Sequence, residues 1–203
     1  MSIFNTPKPL FVAPFLLSCL LASIASATDA VPSQADLAGS WWAQSSVVST
    51  LSSEMRSFFA GKEGRYLVGN GPIDSQFESV MLAEHDKSID FKNGDILISS
   101  HVGTDPTIRS ALLIGPDGGI KAAGLIHHHC TVDVAAGYAC ASGAHPTLTI
   151  FVPRYSVDDR AQNVFVVDKV RAWASRSMRR AATNGTDKPV DLKIQVRELQ
   201  PGT

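Results

Sequence analysis

The sequence predicts an α+β domain: an antiparallel β-sheet with an N-terminal amphipathic helix and a late helix packed on one face, and one local disulfide. Three observations predict it. Between residues 32 and 60 apolar side chains recur at helical spacing. From residue 96 to residue 152 short apolar runs are separated by Gly, Pro and Asp turns. Cys130 and Cys140 flank a short loop in a chain whose opening residues read as an export signal.

That signal carries one cation, Lys8, ahead of the apolar run Leu10 to Ile24, and it ends in the small residues Ala25-Ser26-Ala27. This is the anatomy of a cleavable secretory peptide. A membrane span needs about 20 consecutive apolar residues, whereas this run is shorter and contains Pro14. Leu16-Leu17-Ser18-Cys19 loosely matches a lipidation site, but the apolar stretch continues past Cys19 and Leu17 is bulky for its place. The expected organisation is therefore a signal peptide over 1–27 and a single domain over 28–203, periplasmic or secreted, with no stable membrane insertion after cleavage.

The full chain has a formal net charge of -1, and removing Lys8 makes it one unit more negative. A nucleic-acid partner normally requires a concentrated basic face, and none is visible. The partner expected is another exported or envelope protein. Cleavage also removes Cys19, leaving Cys130 and Cys140, which should pair in an oxidising compartment. Closing so short a loop contributes about 2 to 3 kcal/mol on the chain-entropy model, and it holds Thr131 to Ala139 as a protruding loop with Val134 and Tyr138 as its binding candidates.

Along the mature chain, Leu37, Trp41, Val48, Leu51, Met55 and Phe58 form an apolar stripe with Gln44 as its polar gap. Ser33 fits the N-cap and Gly61 the residue beyond the C-terminus. Phe77 to Ala83 is ambiguous. Ile96 to Val102, Ile108 to Ile114 and Ile120 to His129 read as three strands joined by Gly103-Thr104-Asp105-Pro106 and Pro116-Asp117-Gly118-Gly119, which favours antiparallel pairing. Leu148 to Val152 is a further short strand. A helix follows from Asp158, with Val166, Val170, Trp173 and Ser177 on one face and Arg171, Arg176, Arg179 and Arg180 in its last turns, where cations complement the helix dipole. Leu192, Ile194 and Val196 alternate with polar residues as a half-exposed strand.

The run His127-His128-His129 can be placed on this layout. With tight turns, Arg109 lies opposite Ile126 and beside His101, so that His101, Arg109 and His128 share one face while His127 and His129 share the other. The second of these faces, with Ile96, Ile98, Ile108, Leu112, Ile114 and Leu125, is the expected core. The first, with Leu97, Ser99, Ala111 and Gly124, is expected to be more solvated, and a one-residue slip would exchange them.

Two chemistries follow. His127 and His129 have the spacing to offer two imidazoles to one zinc ion, with Asp133, His145 or His85 completing the set. Alternatively, His101, Arg109 and His128 form a cationic patch for an anionic group. Against both stands the plain reading of rim histidines hydrogen-bonded to backbone and water. No nucleophile elbow, zinc-protease helix or phosphate-binding loop motif is present, and Asp86, Asp90 and Asp95 read as loop solvation. The function expected is a non-enzymatic protein-binding module without cofactor, such as an inhibitor, immunity or accessory factor. A small zinc-dependent hydrolase using His127 and His129 is the alternative.

Overall fold

The computed structural model describes residues 37, 41–67, 70–103, 105–128, 130–133, 137–140, 145–154, 160–183 and 191–200. The export segment and the Ser33 cap lie outside them. Trp41–Ala43 form a 3-10 turn, Gln44 is extended, and helix α1 runs over Ser45–Phe59. The expected continuous stripe is thus interrupted at its one polar gap, and the buried apolar side chains of α1 are Val47, Leu51, Met55 and Phe59. Val48 and Phe58 sit at the margin of that stripe, partly buried. Ala60 closes α1 in the left-handed conformation, its N–H donating to the Arg56 carbonyl, and Gly61 continues at φ 67°. A residue with φ > 0 is costly for a side chain and free for glycine, which is why Gly61 marks this end in the sequence.

A small ladder of β1 (Glu63–Gly64) and β2 (Gly71–Pro72) leads into helix α2 (Ile73–Met81), which resolves the ambiguous segment as helix. Two short strands follow, β3 (Glu84–His85) and β4 (Ile89–Asp90). The antiparallel meander is then β5 (Ile96–Val102), β6 (Asp105–Ile114) and β7 (Ile120–His127). Its register is the anticipated one: His101 pairs with Arg109, and Arg109 with Ile126. A separate hairpin of β8 (Cys130–Asp133) and β9 (Gly137–Cys140) precedes β10 (Thr147–Pro153), helix α3 (Arg160–Thr183) and β11 (Lys193–Leu199). The main sheet has the order β11-β10-β7-β6-β5-β3, with β4 also paired to β5.

Two expectations are corrected. First, β11 joins β10 in parallel, from Thr147 opposite Lys193 to Pro153 opposite Leu199. The long α3 between them supplies the crossover that a parallel pair requires and a hairpin cannot. Second, the helices do not share a face. Leu37, Trp41, α1 and α2 cover Ile96, Ile98, Leu112, Ile114, Ala123, Leu125 and Phe151. The opposite face, expected to be solvated, is a second core in which Leu97, Ala111, Leu113, Ala122, Ile126, Leu148, Ile150 and Val152 lie under Val166, Val170, Trp173, Ala174 and Met178 of α3. The small residues that suggested solvation are what allow a helix to approach: a Cβ on Gly124 would stand 2.5 Å from Val170 Cγ1 and 3.4 Å from Trp173 Cζ3.

Val170 is β-branched and holds one χ1 rotamer in a helix, so it cannot turn aside. Gly124→Ala should therefore destabilise the protein by about 1 to 3 kcal/mol, the usual cost of overpacking, and Val170→Ala in the same chain should recover part of that loss. Denaturant titration of the single and double variants measures this. A neutral Gly124→Ala would mean that α3 stands further from β7 than described.

Candidate functional site

The pairing of β3 with β5 places Glu84 opposite His101 and His85 opposite Ser100. Glu84 and Asp86 therefore reach the α3 face beside His101 and Arg109, while His85 points to the α1 and α2 face. Asp86 is the hub. Its Oδ2 accepts from Arg109 at 3.2 Å and from Ser99 Oγ at 3.1 Å, and its Oδ1 lies 3.6 Å from His101 Nδ1. His101 Nε2 lies 3.4 Å from Glu84 Oε2. Burial lowers the Arg109 pKa, Asp86 opposes that shift, and nearby Arg180 adds to it; a guanidinium stays charged regardless.

His101 and Arg109 lie side by side as the sequence predicts, but Glu84 and Asp86, which it did not place there, join them, so the cluster is not the purely cationic patch anticipated. Asp86 is no loop-solvating residue, because it ties the short edge strand to the sheet. Asp86 is half-buried, whereas Asp95 is buried, at 2 % exposure, between Lys121 and Lys169. A sequence signal existed for Asp95: an acid placed directly before a buried strand and opposite the hairpin carrying Lys121. His128 keeps to the Arg109 side, its Nε2 hydrogen-bonded to Thr107 Oγ1. Beyond Asp86, a cleft of about 150 Å³ is lined by Lys87, Ser99, Trp173, Arg176 and Arg180.

His127 sits on the other face at 1 % exposure, edge-on to Tyr66 at 5.3 Å. A carbonyl only accepts, so Nδ1–H donates to the His128 carbonyl at 3.3 Å, and in the neutral ring Nε2 then accepts from the Thr149 hydroxyl at 3.0 Å. Both ring nitrogens are thus engaged by the protein, and a metal would have to displace Thr149. His129 and the side chain of Asp133 lie outside the described residues. His145 is exposed. His85 is separated from His127 by three strand spacings of about 4.8 Å each, too far to share an ion. Among the described residues no group of three or more metal-binding side chains occurs.

In the hairpin, Cys130 stands directly opposite Cys140 and Val132 opposite Tyr138. No sulfur–sulfur pair is found among the described side chains; those of Cys130, Tyr138 and Cys140 lie outside them, as does Val134. Among the described strands, β11 has a neighbour on one side only. Ile194 and Val196, beside Leu148 and Ile150 on the α3 side of the sheet, remain 38 % and 49 % exposed. Such an edge is a row of backbone donors and acceptors ready to pair with another strand. No described helix is long and apolar enough to cross a membrane.

His85 is stacked on Trp42 at 4.9 Å and meets Trp41 edge-on at 4.8 Å. Burial lowers its pKa, Asp86 opposes this and His101 reinforces it. With the folded pKa below the unfolded value of about 6.5, the unfolded chain binds the proton better, so stability is lost as pH falls from that value toward the folded pKa. Thermal unfolding at pH 7 and pH 5.5 should show a smaller acid-induced drop for His85→Phe, which keeps the stack, than for wild type. An equal or larger drop in the variant would contradict the depressed pKa.

No protein-family model, no curated protein sequence and no solved structure matches this chain.

Proposed function

We propose that this protein is an exported, non-enzymatic binding module that takes an extended segment of another exported or envelope protein onto strand β11. The observation that carries the reading is the edge itself: a seven-residue strand with one neighbour among the described strands, bearing exposed Ile194 and Val196. Edge strands of this length are ordinarily shortened, bulged or covered because they template pairing. Strand addition uses the backbone for affinity and alternate side chains for specificity, and here Ile194 and Val196 offer the apolar contacts.

The β8–β9 hairpin is a second contact, held by a Cys130–Cys140 disulfide in the oxidising compartment to which residues 1–27 direct the chain. Direct opposition of the two cysteines supports that bond, since paired antiparallel residues have Cα separations of about 4.5 to 5.5 Å, within the range a disulfide bridges. Tyr138 is its aromatic anchor and Val134 its second contact residue. The engagement of both His127 nitrogens favours this binding role over zinc-dependent hydrolysis.

Photo-crosslinking in the native compartment tests the proposal. A benzoylphenylalanine at Gln195 or Tyr138 should capture the same protein, one at Arg171 on the outer side of α3 should not, and Ile194→Lys with Val196→Lys should reduce the Gln195 product at least tenfold. Capture that is equal at all three positions, or unchanged by the lysine pair, would contradict it. So would stoichiometric zinc in the purified protein that is lost in His129→Ala.

A further inference from the structure

A cavity of about 600 Å³ lies at the opposite end of α3 from the Arg176 and Arg180 cleft, between the β4–β5 turn, the start of β7 and the first turns of the helix. Its volume is within the range of small-molecule sites. Phe91, Phe165 and Val166 make its apolar wall, and Lys92, Asn93, Asp95, Lys121 and Lys169 its polar side.

The polar side is built rather than incidental. Asp95 Oδ1 accepts from Lys121 Nζ at 2.8 Å, and Oδ2 accepts from Lys169 Nζ and from Asn93 Nδ2, the latter at 2.8 Å. Lys169 also donates to Asn93 Oδ1 at 2.9 Å and stands 4.5 Å over the Phe91 ring. Burial alone would raise the Asp95 carboxyl, but the hydrogen bonds from Lys121, Lys169 and Asn93 outweigh it and hold it below the ordinary carboxylate value. Asp95 therefore stays ionised and orients both ammonium groups, yet cancels only one of their two charges. Lys92 adds a third cation at the exposed rim. Phe165 is left 71 % exposed at the mouth, an arrangement an apolar ligand body would relieve.

We propose that this pocket binds a free amphipathic monocarboxylate, with its headgroup on Lys121 and Lys169 and its apolar body against Phe91, Phe165 and Val166. One anionic headgroup matches the one uncompensated positive charge at Asp95, and the wall selects for a ligand with an apolar body. This site is separate from the β11 edge, and neither reading depends on the other.

Isothermal titration of the purified protein with octanoate, acetate and octylammonium tests it. Octanoate should bind one per chain, acetate at least tenfold more weakly, and octylammonium not detectably. Phosphatidylglycerol vesicles should neither bind the protein nor displace octanoate, which separates a free ligand from a membrane surface. Lys121→Gln, which makes the pocket centre neutral while keeping a donor for Asp95, should weaken octanoate at least tenfold. Phe165→Ser, at an exposed position with no part in the core, should weaken it several-fold with unchanged thermal stability, and it serves as the test if Lys121→Gln fails to fold. No octanoate binding up to millimolar concentration, equal binding of octylammonium, preference for the vesicles, or wild-type affinity in Phe165→Ser would overturn the proposal.

Discussion

The contact of α3 with the sheet at Gly124 is the constraint on which the rest of the architecture depends. A helix that touches a strand backbone through Val170 and Trp173 can do so only where the strand offers no side chain. Ala111, Gly124 and Ala122 provide that floor on neighbouring strands, with Leu113 and Ile126 interlocking around it. Once α3 is seated, the meander becomes the middle layer of three, and both of its faces are core. The same seating sends the chain back across the sheet, so β11 arrives parallel to β10 and is an edge among the described strands. The two clefts are consequences as well, since each lies where an end of α3 overhangs the sheet.

Charge placement follows from that geometry. Converting the second face into a core buries or half-buries what lies at its margins, and acids held there have cationic partners. Asp86 receives Arg109 and Ser99, and Asp95 receives Lys121 and Lys169. A buried carboxylate left alone is expensive, and removing one member of such a pair is more damaging than never having had it. These links tie loop-borne acids to the central strands and to α3, and around Asp95 they leave two ammonium groups facing one carboxylate. Among the described residues the edge strand β11 has no comparable cover, and its exposed Ile194 and Val196 contrast with the nearly complete burial of Leu148 and Ile150 next to them.

Much of this was legible in the sequence. Period-two alternation and the Pro116 to Gly119 turn located the central strands and their register, down to Arg109 opposite Ile126. The stripe Val166, Val170, Trp173 and Ser177 located the buried face of α3. Which side of the sheet α3 takes was not legible, because the small residues Ala111 and Gly124 signal equally a solvated face and a close helix approach. The break at Gln44 was present as a single polar gap, too slight a signal to divide a helix whose start has no side-chain cap. The carboxylate partners were missed for another reason. Glu84 and Asp86 lie on or beside a two-residue edge strand, which is too short to show alternation, and Asp95 meets Lys169 only through the fold.

Native-state amide hydrogen exchange across a denaturant series tests the central claim most directly, because segments that open together share an opening free energy and a denaturant dependence. If α3 is an integral layer of the core, its amides from Val166 to Met178 and those of β6 and β7 exchange only through the same global unfolding. If α3 amides instead exchange at a lower free energy with a small denaturant dependence while β6 and β7 stay protected, the helix is a loosely docked cover. The second core would then not exist as described.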